Sequence, residues 1–202
     1  LTTSSLTGLG SDEVVDVEAV LLTGGSSANL IDASGFGGSV TIFAGGGADT
    51  VIGGSGNDYV NGEAGNDSIT GGAGNDVLVG SFDDDSINGE AGDDTLLGSA
   101  GRDELTGGDG NDHLRGQGSQ DSLTGGAGND TLDGGSSNDL LFEAGDVDFV
   151  LTDSSLTGVG TDAIVAIERV NLTAGAGNNL INASAYSGET TLFGEEGDDT
   201  VI

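Results

Sequence analysis

A nine-residue repeat constrains the fold of this chain more than any other feature. From Ala44 to Leu151 the sequence divides into twelve consecutive units of nine residues without an insertion. The sixth position of every unit is Asp and the eighth is aliphatic, while Gly occupies the first position in ten units and the fourth in eight. Such self-similarity predicts a solenoid, because one short unit cannot bury its apolar face alone. The eighth-position residues are Val51, Val60, Ile69, Leu78, Ile87, Leu96, Leu105, Leu114, Leu123, Leu132, Leu141 and Val150.

Each unit combines a turn half with a strand half. Gly at the first and fourth positions permits left-handed or extended backbone, and Asn at the fifth tolerates the same region. The last three residues are expected to form a short strand whose eighth-position side chain points inward and whose neighbours face solvent. Two units therefore make one rung of an all-β solenoid, with a turn at each edge.

The acidic composition limits the partners of the chain. It contains 3 Lys+Arg against 35 Asp+Glu, a net charge of -32, and no Cys, Met, Pro or Trp. Such a surface repels nucleic acid, and the absence of Cys excludes disulfides and thiolate metal sites. No apolar stretch approaches the roughly 20 residues of a transmembrane segment. The regular spacing of the acids favours cations as partners over a solvated, disordered tail.

This pattern resembles the repeats-in-toxin (RTX), or hemolysin-type, nonapeptide G-G-x-G-x-D-x-U-x, over residues 44–151 and as a fragment at 194–202. The resemblance implies a right-handed parallel β-roll, or β-helix, that holds about ten Ca²⁺ ions in the central array, each between turns two units apart. The implied acidic ligands are Asp49, Asp58, Asp67, Asp76, Asp85, Asp94, Asp103, Asp112, Asp121, Asp130, Asp139, Asp148 and Asp199. Turn carbonyls would complete each site, with Gly54, Gly56, Gly72, Gly74, Gly108, Gly110, Gly126 and Gly128 as examples.

Elementary electrostatics agrees with this expectation. Carboxylate and carbonyl oxygens suit a hard cation, and six to eight flexible oxygen ligands favour calcium over magnesium. Rungs stack about 4.8 Å apart, so neighbouring carboxylates on one edge repel unless a cation lies between them. We therefore expect the chain to be largely unfolded without calcium.

Some units depart from the repeat. The fourth-position Gly is replaced by Asp83, Ser119, Ser137 and Asp146, and the first-position Gly by Ala44 and Glu143. We expect weaker or altered calcium binding in the turns at 80–85, 116–121, 134–139 and 143–148.

A second, longer period relates the two ends of the chain. Residues 1–52 match residues 151–202 without a gap, at 28 identical positions of 52, which gives a period of 150 residues. We call one such period of 150 residues a long unit. This divides the chain into a flanking β segment (1–43), the array (44–151), a second copy of the flank (152–193) and the start of another array (194–202). The pattern suggests a window of a longer tandem repeat protein.

The two flanks lose the nine-residue spacing. The alternation of inward-facing and outward-facing residues is interrupted between Val17 and Val20, and again between Ile167 and Val170. Such breaks indicate two short strands joined by a corner or bulge. We interpret the flanks as metal-free β rungs that continue the solenoid; a separate small β domain is the alternative.

No catalytic pattern stands out, and we expect no enzyme activity. The single histidine, His113, occupies a solvent-facing seventh position. The leading hypothesis is a calcium-rigidified structural module of a large secreted bacterial protein, in a surface layer, fibre or adhesin stalk, with self-association or cell-surface components as partners. The alternative, implied by the RTX resemblance, is a calcium-triggered folding and type I secretion module attached to an exoenzyme or toxin. Both place the chain outside the cell.

Overall fold

The computed structural model describes residues 5–7, 11–13 and 18–202. This part of the chain is all-β and contains no helix. The strands before the array are β1 (Ser5–Thr7), β2 (Ser11–Glu13), β3 (Ala19–Thr23) and β4 (Leu30–Asp32). Strand β5 (Ser39–Gly46) leads from the flank into the array, whose further strands are β6 (Thr50–Gly54), β7 (Tyr59–Ala64), β8 (Ser68–Ala73), β9 (Val77–Phe82), β10 (Ser86–Ala91), β11 (Thr95–Ala100), β12 (Glu104–Asp109), β13 (His113–Gly118), β14 (Ser122–Ala127), β15 (Thr131–Ser136) and β16 (Leu140–Gly145). The later strands are β17 (Phe149–Thr152), β18 (Ser155–Thr157), β19 (Thr161–Val165), β20 (Arg169–Ala174), β21 (Leu180–Ala185), β22 (Glu189–Phe193) and β23 (Thr200–Val201).

Successive strands of the array alternate between two parallel sheets. One sheet has twelve strands in the order β23-β21-β17-β18-β19-β15-β13-β11-β9-β7-β5-β3. The other has nine, in the order β22-β20-β16-β14-β12-β10-β8-β6-β4. Because consecutive strands lie in different sheets, the chain winds as a solenoid with two nonapeptides per rung. The predicted β-roll architecture is confirmed.

The register is constant through the array. Ile69 pairs with Ile87 and Ile87 with Leu105 in one sheet, each two nonapeptides further along the chain, and the same offset joins Leu78, Leu96 and Leu114 in the other. This constancy places every sixth position directly above the sixth position of the rung below, which is what positions the candidate sites.

The core is a single file of aliphatic side chains from each sheet. Eleven of the twelve eighth-position residues are at most 1 % exposed, as predicted. The prediction is wrong for Val150, which is 40 % exposed, while Phe149 and Leu151 on either side are fully buried. Strand β17 has left the repeat, because it pairs antiparallel with β18 through Leu151 and Leu156.

An antiparallel meander interrupts the solenoid after β16. Strands β17, β18 and β19 turn back on one another within the twelve-stranded sheet, and β19 takes the place beside β15. The offset between stacked strands rises from 18 to 32, since Leu132 now pairs with Ile164. Parallel stacking then resumes through β20 on β16 and β22 on β20. The second flank thus continues the solenoid.

The two copies of the flank share their local pairing. Ser5 pairs with Glu13 in β1 and β2, as Ser155 pairs with Ala163 in β18 and β19, one long unit later. The predicted strand break at Ile167 falls between β19 and β20, which belong to different sheets. Its counterpart between Val17 and Val20 begins at Val17, which lies outside the described residues.

Equivalent strands of the two copies lie in opposite sheets. Strands β3 and β5 belong to the twelve-stranded sheet, whereas their counterparts β20 and β22 belong to the nine-stranded sheet. Strands β4 and β6 show the reverse exchange with β21 and β23. One long unit therefore moves a given sequence position from one face of the solenoid to the other.

Candidate metal sites

Sixth-position aspartates line the two edges of the solenoid. Eleven of them are 0–3 % exposed, although each is an acidic side chain on a thin protein. Ladder A, whose turns lead into the nine-stranded sheet, comprises Asp49, Asp67, Asp85, Asp103, Asp121 and Asp139. Ladder B, whose turns lead into the twelve-stranded sheet, comprises Asp58, Asp76, Asp94, Asp112 and Asp130.

One oxygen of each carboxylate is fixed by the backbone of the preceding rung. The N–H of Asp58 donates to Asp76 Oδ1 at 2.8 Å, and the N–H of Asp76 donates to Asp94 Oδ1 at 2.8 Å. Nine consecutive pairs of ladder aspartates make this bond, at 2.7–2.9 Å. Every carboxylate plane is therefore held in the same orientation along the solenoid.

The second oxygen has no partner. Oδ2 of all eleven ladder aspartates is buried and accepts no hydrogen bond within the described chain. Leaving a buried polar atom unpaired is unfavourable by roughly 1–3 kcal/mol, and by more when it is charged. A folded protein rarely repeats such a defect, so eleven copies of it point to a ligand that satisfies these oxygens.

The first-position glycines provide the space that these oxygens face. A methyl group on Gly53 would lie 2.7 Å from Asp58 Oδ2, and one on Gly107 would lie 2.6 Å from the carbonyl oxygen of Gly125 in the next rung and would also collide with Asp112 Oδ2. The unpartnered oxygen and a main-chain carbonyl of the next rung thus converge beside each of these glycines.

The backbone torsions correct the sequence-based explanation for these glycines. Positive φ occurs at the second and fourth positions of ten units, for example at Gly72 (113°) and Gly74 (118°). The first and fifth positions of the array do not share it within the described residues. Gly is therefore needed at the first position for close approach and at the fourth for its conformation.

The predicted carbonyl ligands stack along one edge. The carbonyl oxygen of Gly56 lies 2.5 Å from where a methyl group on Gly74 would stand, and that of Gly54 faces Gly72 in the same way. Further along the same edge, the carbonyls of Gly108 and Gly110 face their counterparts Gly126 and Gly128 in the next rung. The turns thus direct main-chain oxygens at the rung that follows.

Burial makes the ladder carboxylates hard to ionise without a cation. Burial, reinforced by neighbouring carboxylates, raises the pKa of Asp76, Asp85, Asp112 and Asp121 to about 7. Burial also raises the pKa of Asp67 and Asp94 to about 6. In each case a backbone N–H bond lowers the pKa but only partly offsets burial. A bound cation would remove this penalty.

The donor set fits calcium. It consists of carboxylate and main-chain carbonyl oxygens, which suit a hard cation of flexible coordination. In the described part of the chain no three acidic or histidine side chains come together as a metal-binding group. Turn carbonyls would have to supply the remaining ligands of each site, and that part of the sequence-based ligand set stays a prediction.

Both ladders continue beyond the array through residues that the sequence analysis missed. Asp139 donates its N–H to Glu168 Oε2 at 2.9 Å, which extends ladder A. Asp130 donates its N–H to Asp162 Oδ1 at 3.1 Å, which extends ladder B across the meander. The sequence carries a signal for Asp162, since Gly160, Asp162 and Ile164 keep the spacing of the fourth, sixth and eighth positions.

The structure does not bring Asp148 into a ladder. This residue is exposed, and its Oδ1 accepts the N–H of Leu180 at 2.7 Å, because the meander gives its place above Asp130 to Asp162. Asp199 is half-buried and accepts the N–H of Asn179 at 2.8 Å. Asp199 therefore pairs with Asn179, whose side chain is a neutral amide, where the ladders of the array pair two aspartates.

Three divergent turns keep the backbone of the repeat. Asp83, Ser119 and Ser137 replace the fourth-position Gly at φ of 71°, 75° and 116°. Non-Gly residues adopt this region at a conformational penalty, which weakens these turns without changing their shape. The aspartates that follow, Asp85 and Asp121 among them, remain buried in their ladders.

The remaining predicted features lie on the sheet surface. His113 is half-buried in β13 between Thr95 and Thr131 of the adjacent strands, and burial together with Arg115 lowers its pKa. Among the described residues no helix is long and apolar enough to cross a membrane.

Comparison with known proteins matches the sequence to one family. A family model of the RTX calcium-binding nonapeptide repeat fits in four copies, at residues 34–69, 70–105, 106–141 and 184–202, which together make up more than half of the chain. The unmatched interval after residue 141 contains the meander. No curated protein matches the sequence.

Proposed function

Because the chain belongs to the RTX calcium-binding nonapeptide repeat family, we propose that it is a structural module of a large secreted bacterial protein that folds when calcium binds outside the cell. Its role would be a rigid segment of a surface layer, extracellular fibre or adhesin stalk. The observation that carries this proposal is the series of eleven buried, unpartnered Oδ2 atoms along two edges of one continuous solenoid.

Calcium would act as the staple of this fold. Each rung contributes one aliphatic side chain per sheet to the core and brings two carboxylates into register with those of the next rung. Thin solenoids bury little apolar surface, so a metal that binds only the folded state supplies stability that rises with its concentration. The fold then follows the calcium concentration.

This dependence suits secretion. RTX repeat proteins are typically secreted, and a chain with a net charge of -32 and no filled sites is expected to stay unfolded where free calcium is scarce. On reaching a calcium-rich medium it would fold into a rod.

A structural role is supported by the regular shape and by the surface. The long unit repeats its local pairing, so further units can extend the same rod. Phe82 and Phe142 project from it at 64 % and 41 % exposure and offer lateral contacts. Calcium-dependent association in sedimentation would support assembly; monomers alone at high calcium would refute it.

Far-UV circular dichroism of the chain in chelator, titrated with calcium and separately with magnesium, tests the proposal. We expect a coil-to-β transition with calcium only. The variant Asp94→Asn keeps the acceptor for the N–H of Asp76 but removes a ladder charge, so it should shift the midpoint to higher calcium, with site affinities lowered about 10–100-fold.

The matched control is Asp109→Asn, at an exposed third position outside both ladders, which should leave the midpoint unchanged. A chain that is fully β in chelator and indifferent to calcium would contradict the proposal. The alternative, a type I secretion and folding module of an exoenzyme or toxin, shares the calcium transition and requires a catalytic or toxin domain in the same polypeptide.

A further inference from the structure

Glu143 is the one acidic residue that replaces a first-position glycine of the array. It is 3 % exposed, which is unusual for a glutamate. Its Oε1 accepts the N–H of Gly125 at 2.7 Å and the N–H of Gly126 at 3.2 Å. The side chain therefore folds back onto the preceding rung of ladder B and leaves the solvent.

The carboxylate of Glu143 takes the position of a main-chain carbonyl. One rung earlier, the space beside Gly107 is shared by Asp112 Oδ2 and the carbonyl oxygen of Gly125. The equivalent space beside Gly125 is shared by Asp130 Oδ2 and Glu143 Oε1, which would lie 2.5 Å and 3.2 Å from a methyl group there. A charged ligand thus replaces a neutral one.

An unsatisfied oxygen points into this position. Asp130 is 2 % exposed, and its Oδ2 is buried without a hydrogen-bond partner. Asp162, itself 3 % exposed, holds the backbone of Asp130 through its Oδ1 and adds a third negative charge. Burial, with contributions from Asp162 and Asp130, raises the pKa of Glu143 to about 7 in the metal-free chain.

The end of ladder A differs from that of ladder B. There Asp139 and Glu168 are accompanied by Arg169, whose guanidinium lowers the pKa of Asp139 against the larger effect of burial. Among the described residues, the electrostatic neighbours of Glu143 are only the carboxylates of Asp162 and Asp130. No basic side chain of the described chain is among the charges that shift the pKa of Glu143, in contrast to Arg169 beside Asp139.

We propose that the calcium site at the junction with the meander is formed by the carboxylates of Asp130 and Glu143, and that Asp162 is its positioning residue. The site rests on the proposed function in taking calcium as the ion. It differs from the nonapeptide sites because two carboxylates, one of them outside the sixth position, meet where the other rungs pair a carboxylate with a carbonyl.

The additional charge has a consequence for the order of filling. Calcium affinity in oxygen sites rises with the number of charged ligands, so this site fills before those of the array. It would then fix the rung at which the stacking offset lengthens, where β19 replaces the expected nonapeptide strand beside β15, ahead of the rest of the roll.

The test is the variant Glu143→Gln in the full chain. The glutamine amide oxygen can still accept the N–H bonds of Gly125 and Gly126, so only the charge is lost. Calorimetric titration with calcium and ion counting by native mass spectrometry should show one tight site fewer, with its affinity at least about tenfold weaker. The exposed Glu104→Gln is the matched control and should bind as the parent does.

Unchanged stoichiometry and affinity in Glu143→Gln would overturn the proposal and leave Glu143 as a hydrogen-bonding staple. If Glu143→Gln does not reach the parent β spectrum at saturating calcium, the variant Glu143→Gly, which restores the repeat, is measured in its place. The proposal then requires that this variant folds and lacks the tight calcium site. A parent chain that binds no calcium would instead refute the proposed function. The two failures are therefore distinguishable.

Discussion

At the scale of single residues, the first-position glycines show what the sequence could and could not predict. Their recurrence predicts a turn correctly, but the reason is not backbone conformation. The side-chain space at Gly107 is occupied by Asp112 Oδ2 and by the carbonyl of Gly125, which reaches it from two nonapeptides away. A contact between residues two nonapeptides apart cannot be predicted from a single nonapeptide. The need for a positive φ at the fourth position is local and is therefore predictable.

We expect Gly107→Ala to destabilise the calcium-loaded roll by about 1–3 kcal/mol, because a methyl group there collides with Asp112 Oδ2 and the next-rung carbonyl. The control is Gly46→Ala, where a methyl group meets nothing closer than 3.7 Å. Thermal unfolding at fixed calcium measures both.

A difference between the two variants would come from the space beside Gly107 and not from the loss of a glycine in general. Equal effects of the two substitutions would show that the first position requires Gly only for its flexibility. A raised calcium midpoint in Gly107→Ala alone would place the clash at the ligand-binding space.

At the scale of elements, the predictable part of the molecule is the part with a short period. Strands β6 to β16 follow directly from the nine-residue spacing, because neighbouring strands within the array pair at a constant offset of two nonapeptides. The meander of β17 to β19 does not, since Leu132 pairs with Ile164 only after two reversals of the chain. The meander also leaves Val150 exposed, and it places Asp162 instead of Asp148 above Asp130 in ladder B.

The two ladders predict how pH acts on the metal-free fold. Burial raises the pKa of several ladder aspartates from 3.8 to about 6 or 7, so the folded state binds more protons than the unfolded chain between about pH 4 and pH 7. The free energy of unfolding of the calcium-free fold therefore decreases as the pH rises through this window.

In chelator, far-UV circular dichroism should report more β structure at pH 5 than at pH 8. Protons and calcium compete for the same carboxylates, so the calcium midpoint should move to higher concentration as the pH falls below about 7. A calcium midpoint that is constant from pH 5 to pH 8 would mean that the ladder carboxylates are ionised throughout.

At the scale of the whole molecule, calcium removal should change the dimensions of the chain. An unfolded chain of 202 residues has a radius of gyration of about 48 Å, against about 17 Å for a compact fold of this length. Self-repulsion at a net charge of -32 expands the unfolded state further. Small-angle X-ray scattering in chelator and in calcium should show this contraction, and equal radii would contradict a calcium-dependent fold.

The exchange of sheets between the two copies of the flank sets the symmetry of any longer array. Strand β3 and its counterpart β20 lie in opposite sheets, so in a tandem of these long units a given sequence position would return to the same sheet only at every second unit. A difference between the faces that bends one unit would bend the next in the opposite direction. Such bends would offset one another, and identical surface features of successive units would alternate between the two faces.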